Sequence, residues 1–129
     1  MMEALSIKGT HETPEVLFNK NSGEFSISGK SLPEDVKEFY YPIVKWVSEY
    51  AKSPNPETTL KLKMDYFNTA SSKMLLEIFE HFKAMHDAGN KVVIDWYYQE
   101  DDEDMQDAGE DYADIVEVPF NFISYQPIS

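Results

Sequence analysis

The stretch Thr58-Thr59-Leu60-Lys61-Leu62-Lys63-Met64-Asp65-Tyr66-Phe67 decides how this chain is read. Leu60, Leu62, Met64 and Tyr66 alternate with Thr59, Lys61, Lys63 and Asp65. A period of two belongs to a strand with one face on a core and the other in water. Asn68-Thr69-Ala70-Ser71-Ser72-Lys73 comes immediately after, and then Leu75, Ile78, Phe79, Phe82 and Met85 recur at helical spacing. This predicts a central strand over 57–67 and a helix from about Ala70 to Ala88, with Gly89-Asn90 as its stop signal.

The same units repeat on either side. Lys91 to Tyr98 reads as a buried-type strand, the segment from Glu100 as a short helix with Met105, Ala108 and Tyr112 inward, and Val116 to Tyr125 as a last strand. Upstream, Leu5 to Lys8 is a short strand. Val16–Asn19 and Glu24–Ser28 flank Asn21-Ser22-Gly23 as a hairpin. Ser31-Leu32-Pro33-Glu34 carries a capping-box pattern with Pro in the first turn. Val36, Phe39, Tyr40, Ile43, Val47 and Tyr50 then read as a helix kinked at Pro42. Strands alternating with helices imply parallel pairing through right-handed crossovers, and the hairpin makes the sheet mixed. The expected fold is α/β, a mixed β-sheet with flanking helices, in one domain over 1–129. Leu62, Met64, Ile78, Phe79, Phe82, Val93 and Ile94 are its expected core.

Charge narrows the function. The chain has 24 acidic and 11 basic residues, and every basic residue is lysine. Nucleic-acid binding needs a basic face and favours arginine, so no nucleic-acid partner is expected, and no anionic membrane. The nine acids between Gln99 and Asp114 have no base among them; outside that segment 15 acids face 11 lysines. The absence of cysteine excludes disulfides, zinc thiolate sites and thiol chemistry. No apolar run reaches membrane-spanning length and the N-terminus lacks a signal-peptide core, which reads as a cytoplasmic protein.

The junction Asn68–Lys73 is the candidate site. It lies beyond the carboxyl end of a central strand, where open α/β sheets place functional groups. Its small polar residues sit at a helix N-terminus, where free N–H groups and the helix dipole favour an anion. On residue pattern alone, the first reading is that Asn68, Thr69 or Ser71 is an ordinary helix cap.

Tyr66-Phe67-Asn68-Thr69-Ala70-Ser71-Ser72-Lys73-Met74-Leu75 resembles the SiaC family of bacterial regulatory phosphoproteins. So do Pro14-Glu15-Val16, Phe25-Ser26-Ile27-Ser28-Gly29-Lys30-Ser31, Pro33-Glu34, and Trp96-Tyr97-Tyr98 before an acidic stretch; the match runs along essentially the whole chain in order. The resemblance implies a fold like the STAS (SpoIIAA-like) anti-sigma-factor antagonists. It also implies phosphorylation of Thr69 by a dedicated protein kinase and its reversal by a metal-dependent Ser/Thr phosphatase. Asn68, Ser71, Ser72 and Lys73 would then meet the partner, and Ser71 and Ser72 are secondary acceptor candidates. The unmodified protein would bind and stimulate a diguanylate cyclase, in c-di-GMP signalling of the kind that governs biofilms. The Asp-Ser-Ser-Gly form of the sporulation antagonists is missing, so sigma-factor control is not implied.

The remaining motifs are weaker. From Asp102, a calcium loop would need Gly at the sixth position, where Asp107 stands, so no metal is expected. His11, His81 and His86 have no ligand spacing, and no cofactor motif or nucleophile elbow occurs. A small hydrolase using Thr69 or Ser71 would lack an obvious base. An acidic decoy for a basic partner is the third reading. The protein is therefore read as a non-enzyme with no catalytic residues.

Overall fold

In a computed structural model the described residues are 2–126. The elements run β1 (Leu5–Ile7), β2 (Glu15–Asn19), β3 (Glu24–Ser31), α1 (Val36–Tyr50), β4 (Glu57–Phe67), α2 (Thr69–Asp87), β5 (Lys91–Gln99), α3 (Glu103–Val116) and β6 (Phe120–Tyr125). They form one six-stranded sheet in the order β1-β2-β3-β4-β5-β6. β1, β2 and β3 pair antiparallel, and β3 to β6 pair parallel. The mixed α/β sheet expected from the alternation is the observed one, with β4 near its centre.

Spatial order equals chain order, and this has a consequence for the helices. Each parallel crossover adds its next strand on the same side, and such crossovers share one hand. All three helices therefore lie on one face. Val16, Phe18, Phe25, Ile27, Leu60, Leu62, Met64, Val92, Ile94 and Trp96 point into that face and are buried. The other face is open. Ser26, Lys61, Asp95 and Asn121 stand side by side there in register. β5 is accordingly a half-buried strand, and Val93, an expected core residue, is only partly covered because it belongs to the open face. Leu62, Met64, Ile78, Phe79, Phe82 and Ile94 are buried as expected.

Other boundaries moved for identifiable reasons. Ser31 does not cap α1. It ends β3, paired with Phe67, and is fully buried. Asp35 caps instead, its Oδ1 accepting the Glu38 N–H at 3.0 Å. The sequence holds two overlapping cap patterns, and strand pairing claims the first. Pro42 lies inside α1 on its exposed side, so the Glu38 carbonyl that loses its partner is on the watered surface. The last strand starts at Phe120, because α3 continues through Val116 before turning at Glu117.

Tyr66 also departs from the alternation. Gly29 pairs with Met64 but Lys30 pairs with Tyr66, so Asp65 is an extra residue in β4. Such a bulge reverses the facing of the residues beyond it. Tyr66 is consequently 51% exposed, while Phe67 turns inward against Trp96 and Tyr112. The bulge thus aims the last residue of β4 into the core immediately before the candidate site.

Candidate functional site

The site begins with an Asn cap. Asn68 has extended backbone, and its Oδ1 accepts the Ser71 N–H at 2.8 Å. Its carbonyl accepts the Ser72 N–H at 2.9 Å. The Asn68 N–H donates to the Ser31 carbonyl at 3.0 Å, which ties the junction to the end of β3. The helix closes with a paired turn: Asn90 N–H donates to Met85 O and Gly89 N–H to His86 O, with Gly89 at φ 102°. This is the glycine stop that Gly89-Asn90 announced.

Thr69 is the first residue of α2 and is exposed. Among the described residues its hydroxyl has no hydrogen-bond partner, and the N–H groups of Thr69 and Ala70 have no acceptor. A helix N-terminus with free amides favours negative charge.

The neighbouring hydroxyls are engaged. Ser71 is fully buried, and its Oγ donates to the Ser31 carbonyl at 3.0 Å. Ser31 Oγ donates to Ser71 Oγ at 2.9 Å, which leaves Tyr40 Oη as the donor in its 2.6 Å bond to Ser31 Oγ. Ser72 Oγ donates to the Thr69 carbonyl at 2.6 Å. Tyr112 Oη, on α3, donates to the Ser72 carbonyl at 2.6 Å. Burial pushes the Tyr40 phenol above its ordinary range. Burial does the same more strongly to Tyr112, with Tyr40 adding to the rise.

The expected partner-facing residues divide accordingly. Asn68 and Ser72 are half-buried, Lys73 is exposed, and Ser71 drops out of the partner-facing set because it faces the core. Ser71 donates to a backbone carbonyl and bonds no imidazole or carboxylate among the described residues, so it lacks the arrangement of an activated nucleophile. Beside the junction a hollow of about 300 Å³ opens between α2 and α3, lined by Phe67, Lys73, Leu76 and Ile115 among others. Ile115 is 59% exposed. The acidic segment is helix α3, capped by Asp102 Oδ1 on the Met105 N–H at 3.0 Å, and not a calcium loop. Among the described residues no group of three acidic, His or Cys side chains is placed to hold a metal. No helix among them is long and apolar enough to cross a membrane.

Sequence reasoning missed Ser31, Tyr40 and Tyr112 as parts of the site. A signal for Ser31 existed: Phe25, Ile27 and Gly29 alternate inward, and the next inward position is 31. Tyr40 and Tyr112 read as ordinary members of apolar helix stripes.

Comparison with known proteins is specific. The model of the SiaC family of regulatory phosphoproteins matches residues 7–125. The chain belongs to the SiaC family. The crystal structure of apo-SiaC from Pseudomonas aeruginosa is similar with a TM-score of 0.86 and 27% identity, covering 95% of this chain and 99% of that one. A chain in the structure of the diguanylate cyclase SiaD in complex with its activator SiaC, from the same species, matches with a TM-score of 0.87 and 26% identity, over 94% and 99% of the two chains. A curated protein of Pseudomonas aeruginosa strain UCBPP-PA14 is 28% identical over 119 residues, 92% of this chain and 94% of its own. As a SiaC-family member the chain is a regulatory protein on an α/β fold shared with solved SiaC structures.

Proposed function

We propose that this SiaC-family protein is a non-enzymatic phospho-switch: unmodified, it binds and activates a diguanylate cyclase, and phosphorylation of Thr69 releases that partner. The observation that carries the reading is the state of the junction hydroxyls. Thr69 is exposed and its hydroxyl unbonded among the described residues, at a helix N-terminus, whereas Ser71 is buried and Ser72 is bonded locally. The cyclase is inferred from the relative, SiaC, which activates SiaD. A protein kinase adds the phosphate and a metal-dependent Ser/Thr phosphatase removes it.

The mechanism is local electrostatics. A phosphate adds about −1.5 to −2 charges at neutral pH. On Thr69 it sits beside free amides that stabilise it, so the modified fold tolerates the charge. Lys73 lies one turn on, on the same side of α2, and pairs with the new anion. The partner then meets a desolvation cost at Thr69 and loses the cation of Lys73. Exposed Tyr66 and Ile115 beside the junction supply apolar contact area to the bound state.

The test has two arms. Kinase and ATP should add one phosphate, mapped to Thr69 by mass spectrometry. Synthesis of c-di-GMP by the cyclase of the same cell should rise with the unmodified protein and stay basal with the phosphorylated one. Equal stimulation by both forms would refute the switch.

A further inference from the structure

We infer that Tyr40 and Tyr112 are positioning residues that confine modification to Thr69, an inference that rests on the proposed phosphorylation of that residue. The first turn of α2 carries three hydroxyls within four residues, Thr69, Ser71 and Ser72. A kinase needs an acceptor hydroxyl that is free and a backbone that bends into its active site. The two tyrosines hold this turn from opposite neighbours. Tyr40 on α1 heads the chain Tyr40 Oη to Ser31 Oγ to Ser71 Oγ to Ser31 carbonyl, with lengths of 2.6, 2.9 and 3.0 Å. Every donor in that chain is used, and no buried side-chain polar atom among the described residues lacks a partner. Bonds in such a series strengthen one another in a water-free setting. Tyr112 on α3 holds the Ser72 carbonyl at 2.6 Å, and the Ser72 hydroxyl is itself spent on the Thr69 carbonyl.

The result is an asymmetric turn. Ser71 is locked inward by α1, Ser72 is pinned from α3, and Thr69 alone lies outside both contacts. Presenting Ser71 requires breaking the buried chain and turning its side chain out of the core. Removing the phenolic oxygen of Tyr40 leaves Ser31 and Ser71 bonded to each other and to the backbone, so the fold survives while the lock weakens. Removing that of Tyr112 frees the Ser72 carbonyl and loosens the turn from the other side.

The experiment compares wild type, Tyr40→Phe and Tyr112→Phe, with Tyr97→Phe on the open face of the sheet as control. Each is phosphorylated to completion and its phosphate is mapped among Thr69, Ser71 and Ser72. Backbone amide exchange over 68–73 is measured in the unmodified proteins. Wild type and Tyr97→Phe should carry phosphate on Thr69 alone. In Tyr40→Phe and Tyr112→Phe, exchange in the first turn should rise roughly three- to tenfold, the factor that one lost hydrogen bond allows. Phosphate should then appear on Ser71 in Tyr40→Phe and on Ser72 in Tyr112→Phe. Unchanged site distribution and unchanged exchange in both variants overturn the positioning role while leaving Thr69 as the acceptor. Wild type that takes no phosphate at Thr69 overturns the reading on which it rests.

Discussion

Trp96 Nε1 donates to the Met105 carbonyl at 2.9 Å, and Gly109 is the residue that lets the indole lie there. A Cβ built on Gly109 would stand 2.5 Å from Trp96 Nε1 and 2.6 Å from its Cδ1. Gly109 sits inside α3, where glycine is a poor helix former, so close approach and not flexibility explains it. Gly109→Ala should therefore destabilise the protein despite its better propensity. Overpacking costs about 1–3 kcal/mol, and the propensity gain offsets at most about 1 kcal/mol. Chemical denaturation followed by Trp fluorescence checks this; an Ala variant as stable as wild type would show that α3 shifts freely over β5.

Asn68→Ala and Thr69→Ala should separate cap from switch. Asn68 Oδ1 is the cap, so its loss should cost about 0.5–2 kcal/mol. Thr69 caps nothing, and Thr69→Ala should leave the melting temperature within about a degree or two of wild type. Phosphate incorporation should vanish in Thr69→Ala and persist in Asn68→Ala. Quantitative phosphorylation of folded Thr69→Ala would move the acceptor to a serine.

Much of this was legible in the chain, and the exceptions have physical causes. The alternation over 57–67 and the helical spacing after it located β4, the junction and α2. Tyr66 faced the wrong way in the simple alternation because the extra residue, Asp65, is a tertiary feature of the β3–β4 pair. Val93 resembled a core residue because a Val-Val-Ile run does not say how many faces of the sheet are covered. Ser31 and Asp35 both begin cap patterns, and only the pairing of Ser31 with Phe67 chooses between them. The lock on Ser71 was hidden for a related reason: a hydroxyl contact across 40 residues leaves no periodic trace.

Glu117 offers a stabilising change. It ends α3 in the left-handed region, with φ 60° and ψ 35°. For a residue with a Cβ that conformation costs about 1–2 kcal/mol, against about 0.5–1 kcal/mol of extra chain entropy for glycine. A carboxylate at a helix C-terminus also opposes the dipole. Glu117→Gly should raise stability by roughly 0.5–1 kcal/mol, read as a higher urea midpoint at unchanged slope.

Stability should fall in alkali through the two clamp tyrosines. An unfolded phenol titrates near 10, and burial places both Tyr40 and Tyr112 above that value in the fold. The folded state therefore holds protons that the unfolded state has released. The stabilisation is complete below about pH 10 and is lost as pH climbs from there through the folded values. Each phenol contributes a slope of at most about 1.4 kcal/mol per pH unit, reached where the unfolded phenol has lost its proton and the folded one keeps it. The Tyr40→Phe, Tyr112→Phe double variant should show a flatter decline than wild type between about pH 10 and 12. Parallel curves would mean that neither phenol is held neutral by the fold.

The charge of residue 69, not its hydroxyl, should govern partner release. Thr69→Asp places a carboxylate at the start of α2, where the dipole stabilises it by about 0.3–1 kcal/mol, so the variant should fold at least as well as wild type. Binding should respond in the opposite direction. Thr69→Ala removes one hydroxyl, worth about 0.5–1.5 kcal/mol if the partner bonds it. A carboxylate desolvated in a packed interface costs several kcal/mol unless it is paired. Lys73 is the cation at the matching helical position, and pairing with it withdraws that cation from the partner. Lys73→Gln should therefore weaken binding of the unmodified protein and also shrink the further loss caused by Thr69→Asp, a coupling that a double-mutant cycle measures. Neutralising Asp101, Asp102, Glu103 and Asp104 should act differently, lowering association rate and its salt dependence more than the dissociation rate, as charges at a rim do. Calorimetry and surface binding to the cyclase read these arms. Equal affinity of folded Thr69→Ala and Thr69→Asp would reduce Thr69 to an ordinary first residue of a helix.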